Sequence, residues 1–243
     1  MWVMSLNGAR FKVVWAQEHL NTLKREIARY LEPNPYTLEP IQNDSGDWGA
    51  KGTITTQPPI HLSGIIGDCL NNARSALDYV MWELAGTYVG RKLIAPPDGN
   101  DRPYFPTFID PNKFEKRGLE SLAEYRIPDP VIREMRAVQP YNSGYQPLWC
   151  LNILVNVDKH RLLLLTRADF KEVSLSISRI APSGNLPPEP EWVRLPEAEV
   201  KAEGSIFVAW QDISMPREPV ERTLADIVEL VADIVPRFDR FCL

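Results

Sequence analysis

The sequence predicts a mainly α-helical protein of α+β character: a four-helix-bundle-like core, an inserted β-hairpin, and a small antiparallel sheet before the last helix. Three observations predict it. Four long stretches carry apolar residues at three- and four-residue spacing, the mark of amphipathic or buried helices. Two stretches instead alternate or are rich in threonine between turn residues, as strands do. Prolines and glycines fall between these stretches and seldom inside them. At 243 residues, 44% hydrophobic and 24% charged, the chain is long and apolar enough to bury one core. It is read as a single helical-bundle domain over residues 1–243, with a hairpin over about 36–57 and a small sheet over about 170–210.

The first helix is expected over residues 9–31, with Phe11, Val14, Trp15, Leu20, Leu23, Ile27 and Leu31 as its buried face. Pro33 and Pro35 end it. Tyr36 to Gln42 and Gly52 to Gln57, joined through a Gly-Asp turn segment, form the hairpin. The second helix is expected over Ile66 to Leu84, with His61 and Ser63 placed to cap its entry. A proline-rich stretch follows, in which FPTF tucks aromatic rings beneath a loop; two short helices, Lys113 to Glu124 and Pro130 to Val138, come after it, the second capped by Asp129. Pro147 to Leu165 is apolar nearly all round and reads as a buried helix. Glu172 to Ile180, Trp192 to Leu195, Glu197 to Lys201 and Ser205 to Trp210 read as strands. Glu218 to Phe241 closes the chain as a helix that Pro236 kinks or ends early, with Leu224, Ile227, Val228, Val231, Ile234 and Val235 inward.

Several function classes are disfavoured. A net charge of −5 and a pI near 5.4 argue against a protein that coats nucleic acid, although not against a local basic groove. Cys69, Cys150 and Cys242 form no CxxC spacing, so the first two read as small core residues in a reducing compartment. The N-terminus lacks a signal-peptide core, and no apolar run reaches the length of a membrane span. The chain reads as cytoplasmic, with no membrane partner. No HExxH, GxSxG, GxGxxG or Walker A pattern occurs, so neither a metal nor another cofactor is implied.

Candidate chemistry lies on two polar stripes. The second helix carries Asp68, Asn71, Asn72, Ser75, Asp78 and Tyr79 opposite its apolar face. Asp, Asn and Ser each cost about 0.4–0.7 kcal/mol against Ala in a helix interior, because their side chains compete for the backbone. Packing against something specific would offset that cost. On the 147–165 helix, Asn152, Asn156 and Lys159 share a face, and His160 lies four after Asn156, while Asp158 and Arg161 point elsewhere. If the helices are neighbours, Asp68, Asn72 and Ser75 face Asn152, Asn156, Lys159 and His160, and Arg74 pairs with Asp78 at i, i+4. Such a cluster suits an anionic ligand such as a phosphodiester, with Arg holding phosphate and His as acid or base. The other reading is structural: the groups satisfy one another and fix helix register.

The stretches GDCLNNARSALDYVMWEL and LNILVNVDKHRLLLL, with the FP-containing loop between them, resemble a group of uncharacterised bacterial proteins of the pattern GDxLxNxRSALDxxxW and DKHRLL. More distantly, the RSALD segment resembles the HEPN superfamily of helical bundles, which includes metal-independent ribonucleases of toxin, defence and stress systems. Their motif is an Arg followed four to six residues later by a His, usually completed across a dimer. Arg74 matches that Arg and Tyr79 stands where the His would be. The resemblance implies a nucleic-acid-processing or nucleotide-binding protein, with RNA or nucleotide as ligand and a homodimer as the assembly. In this reading Arg74, Asp78 and His160 are the catalytic candidates, and Asp68, Asn72, Tyr79, Asn156 and Lys159 bind ligand. The alternative is a non-catalytic binding or dimerisation module whose polar helix faces are structural.

Overall fold

The computed structural model describes residues 6–44, 48–90, 103–161, 166–179, 198–210 and 218–242. Four helices make the core: α1 (Asn7–Leu31), α2 (His61–Val89), α5 (Gln146–Arg161) and α6 (Val220–Ile234). α1 packs on α2 and α6, and α5 also packs on both, so the four close into a bundle. A hairpin of β1 (Tyr36–Gln42) and β2 (Trp48–Ile54) is inserted between α1 and α2. A longer antiparallel ribbon, β3 (Thr166–Arg179) with β4 (Ala198–Trp210), precedes α6. Between α2 and α5, Pro111–Lys113, Phe114–Gly118 and Leu119–Glu124 run on as α3, whose middle is a π turn, followed by α4 (Asp129–Ala137). The fold is mainly α with two small antiparallel sheets, as the apolar spacing predicts.

The interior of α2 is continuous. Ile66, Cys69, Leu70, Ala73, Ala76, Leu77, Val80 and Leu84 are all buried, as expected. The helix is longer than the sequence suggests, because His61 to Ile65 already have helical geometry and only Gly90, at φ 87°, ends it. His61 and Ser63 do not cap it. Ile60 holds the cap position without a side-chain bond, and His61 lies 3.5 Å from Glu26 instead. Asp129 is likewise no cap: Pro128 precedes α4, and the aspartate sits within its first turn. At the far end, α6 stops at Ile234 and continues as a 3-10 turn, Val235–Phe241, around Pro236. Its six inward residues are buried as predicted.

α1 differs from its expected face. Ala9, Ala16, Leu20, Leu23, Ile27 and Tyr30 are buried, whereas Phe11, Val14 and Trp15 are exposed. The reason is angular. Trp15 to Leu20 is a step of five residues, which turns roughly 140° about the axis at 3.6 residues per turn. The apolar residues therefore form two stripes, one inward and one outward, and local spacing joins them wrongly into one.

The strand segments also merge. β4 runs unbroken from Ala198 through Gly204 to Trp210, so the expected Glu197 to Lys201 and Ser205 to Trp210 segments belong to one strand. β3 begins earlier than expected, at Thr166, and pairs Thr166 with Trp210, with a bulge between Phe170 and Glu172. Trp192 to Leu195 lies outside the described residues. Hairpin and ribbon meet at Phe170, whose ring packs edge-on against Tyr36 with centroids 5.7 Å apart. Gly52 permits that contact: a Cβ there would lie 2.4 Å from the Phe170 Cζ.

Candidate functional site

The polar residues of α2 divide into two stripes one residue apart. Gly67, Asn71, Arg74 and Asp78 recur at four, three and four residues and share one line along the helix. Asp68, Asn72, Ser75 and Tyr79 form the neighbouring line, about 100° further round. These two lines face different parts of the molecule.

The first line joins α2 to α5 and to the FPTF loop. Asn71 Nδ2 donates to Asp158 Oδ2 at 3.2 Å. One turn earlier, a Cβ on Gly67 would lie 3.0 Å from Asp158 Oδ1. Asp158 is therefore the α5 residue that faces α2, contrary to the expectation that it points elsewhere. Asn156 is exposed and has no hydrogen bond to α2 among the described residues. The α5 contact selects Asn71 and Asp158 because an offset of one residue to Asn72, and of two to Asn156, rotates those neighbours off the shared line. Lys159 and His160 belong to α5, but their side chains lie outside the described residues.

Further along the same line, Arg74 and Asp78 form the predicted i, i+4 pair. Arg74 Nη2 donates to Asp78 Oδ1 at 2.8 Å, and its Nε donates to Oδ2 at 3.2 Å, a two-point contact. Both residues also reach the loop. Arg74 Nη2 donates to the Phe105 carbonyl at 2.9 Å, and Nη1 donates to the Thr107 hydroxyl at 3.3 Å. The Phe105 amide donates to Asp78 Oδ1 at 3.0 Å. The Arg74 side chain is only 14% exposed.

Gln139 holds the other side of this loop. It is fully buried. Its Oε1 accepts from the Phe108 amide at 2.9 Å, while Nε2 donates to the Pro106 and Met135 carbonyls at 3.0 and 2.9 Å. The Phe105–Phe108 backbone thus finds its partners in three side chains, which act for it as a neighbouring strand would. The rings go inward as the sequence suggests: Phe105 meets Phe238 with centroids 5.7 Å apart, and Phe108 meets Phe114 at 6.1 Å. Gln139 carries no motif, and only its burial exposes its role.

The second line faces α1. Lys12 Nζ donates to Asn72 Oδ1 at 3.1 Å, and Asn72 Nδ2 donates back to the Asp68 carbonyl at 2.8 Å. Tyr79 lays its ring over Gly8, where a Cβ would lie 2.9 Å from the Tyr79 Cδ1. Asp68 is exposed. Asn72 is accordingly not opposite Asn152 and Asn156, as the sequence reading had it; it borders an outward stripe of α1. That stripe is Gly8, Phe11, Lys12, Trp15 and His19, again at three- and four-residue spacing. Phe11 is 59% exposed, Trp15 46% and Tyr79 42%. The Phe11 and Trp15 rings meet edge-on at 6.0 Å, and Trp15 and His19 lie 6.1 Å apart. Val14, 56% exposed, widens the apolar area toward α6.

Two of the three thiols are buried. Burial pushes Cys69 and Cys242 up to about 12, the latter helped by Glu83 and Asp239. Cys69 donates to the Ala16 carbonyl at 3.4 Å. Among the described residues, no group of three or more His, Cys, Asp or Glu side chains is placed to hold a metal, and no helix is long and apolar enough to cross a membrane. Comparison with family models, with curated proteins and with solved structures returns no match.

Proposed function

We propose that the protein is a non-catalytic dimerisation module that pairs two copies through the outward face of α1. The observation that carries this reading is the exposed stripe of Phe11, Trp15 and His19, widened by Val14 and bordered by Tyr79. Clustered large apolar side chains at one surface mark an interaction site, and aromatic rings supply much of the energy at interface centres. The charges favour a second copy as the occupant. Lys12 and Glu18 stand three residues either side of Trp15. An antiparallel two-fold pairing centred on Trp15 sets Lys12 of each copy opposite Glu18 of the other, and Phe11 opposite His19. Such self-complementarity is what an isologous contact requires.

The nucleic-acid-processing reading asks more of the same residues. Arg74 would have to hold a phosphodiester with donors now given to Asp78, the Phe105 carbonyl and Thr107. Releasing them leaves the Asp78 carboxylate and the loop carbonyl without those partners, a cost that ligand binding must first offset. Tyr79, in the place of the HEPN histidine, lays its ring over Gly8.

Sedimentation velocity tests the proposal. The wild type is expected to sediment as a dimer, and Trp15→Glu as a folded monomer with an unchanged melting temperature. A monomeric wild type at micromolar concentration overturns it. Incubation with a mixed RNA pool in excess EDTA separates the two readings: cleavage that Arg74→Ala abolishes while remaining folded would restore the ribonuclease.

A further inference from the structure

A second surface feature lies where α4 meets the 3-10 turn after α6. Pro130, Arg133, Glu134, Arg240 and Phe241 line an open cleft of about 410 Å3, a volume within the range of small-ligand sites. Its charge is unbalanced. Glu134 is shared by two guanidinium groups: Arg237 Nε donates to Oε1 at 2.5 Å, and Arg240 Nη2 donates to Oε2 at 2.9 Å. One carboxylate cannot neutralise both. Arg133, one residue before Glu134, is exposed and forms no ion pair or hydrogen bond among the described residues. The lining therefore sets two cations, Arg133 and Arg240, against one carboxylate that Arg237 also shares, in a chain whose formal net charge is −5.

The two paired arginines are also held in place. Arg240 stacks on the Phe241 ring, 4.7 Å from its centroid. Arg237 lies 5.9 Å from the Tyr145 centroid and donates to the Tyr145 hydroxyl. Stacking and the shared carboxylate orient both guanidinium groups before any ligand arrives, Arg240 with its side chain still 68% exposed, which lowers the ordering cost of binding. Phosphate oxygens match a planar guanidinium fork, and such bonds are charge-assisted. We infer that this cleft binds a phosphate group of a phosphate ester or diester, held chiefly by Arg133 and Arg240. The site is independent of the α1 face and of the Arg74–Asp78 clamp.

Arg133→Glu is the discriminating variant, because Arg133 supports no contact of the fold among the described residues. Arg25→Glu, on the exposed side of α1, is the charge-matched control. Two probes are titrated at low salt into the full chain: pyrophosphate by calorimetry, and a short end-labelled single-stranded RNA by fluorescence anisotropy. The wild type is expected to bind pyrophosphate, and Arg133→Glu to weaken binding by about tenfold or more with its melting temperature unchanged. Arg25→Glu is expected to bind as the wild type does. RNA bound more tightly than pyrophosphate, with a steep fall in added salt, identifies a polynucleotide backbone as the phosphate source; pyrophosphate bound as well as or better than RNA identifies a free phosphate ester. No pyrophosphate binding by the wild type overturns the inference, as does an equal loss in the two charge-reversal variants.

Discussion

Two stripes of α2, one residue apart, carry similar side chains and do different things. Arg74 and Asp78 are half-buried and matched to the FPTF loop, and Asn71, itself exposed, bonds Asp158 of α5. Asn72 and Tyr79 lie at the edge of α1, with Tyr79 part-covered and 42% exposed. A polar group carries most weight for stability where water cannot replace its partner, so the Arg74–Asp78 pair acts as a bolt and Tyr79 as a border to an exposed face. Composition does not separate them. Neighbours do.

The comparison breaks most sharply at Arg74. Arg74→Ala removes one member of a largely buried pair, frees the Asp78 carboxylate and strips two bonds from the loop. We expect a loss of about 3 kcal/mol, read as the shift in urea unfolding midpoint; a change below about 0.5 kcal/mol would mean that the clamp contributes little. Gln139→Leu is next. It leaves the Phe108 amide and the Pro106 carbonyl without side-chain partners, at an expected cost of about 2 kcal/mol. Added to Arg74→Ala, it should fall short of the sum, because both hold one loop.

The glycines sharpen the contrast at smaller scale. Gly67→Ala presses a methyl against the Asp158 carboxylate, itself held by Asn71, and should cost about 1 kcal/mol. Gly8→Ala meets only the exposed Tyr79 ring, which can swing outward, and thermal melts should show a smaller change. Equal losses at the two positions would mean that the α1–α2 edge is as rigid as the α2–α5 contact.

The smallest effect belongs to pH. Burial raises the Glu221 carboxyl above its ordinary value of 4.5, with Lys24 opposing the shift, and its Oε2 has no hydrogen-bond partner among the described residues. The folded state therefore holds the proton more tightly than the unfolded state does. That contribution is full below pH 4.5 and is lost as pH rises through the raised value. Glu221→Gln should melt above the wild type at pH 7, and the gap should close on acidification. A gap independent of pH would show that the buried carboxylate is not its source.

Much of the fold was legible in the chain. Three- and four-residue spacing located the four core helices and the α2 core residues, and turn chemistry located the hairpin, because a buried stripe must recur with the period of its own element. The i, i+4 pair of Arg74 and Asp78 was equally local. Spacing could not tell that Phe11 and Trp15 face outward, since a stripe records which residues share a side and not what that side meets. Nor could it choose Asn71 over Asn72, about 100° apart, or Asp158 over Asn156, about 200° apart, where rotation about the helix axis decides between α5, α1 and solvent. Gln139 carries no motif, and its loop partners lie 31 and 33 residues away. The sequence by itself determined the helices, the inner residues of α2 and α6 and the clamp pair, because each follows from contacts within a few turns. Only the tertiary structure decided which polar stripe became internal and which apolar stripe stayed exposed, because those outcomes depend on where α5, α6 and the FPTF loop come to rest.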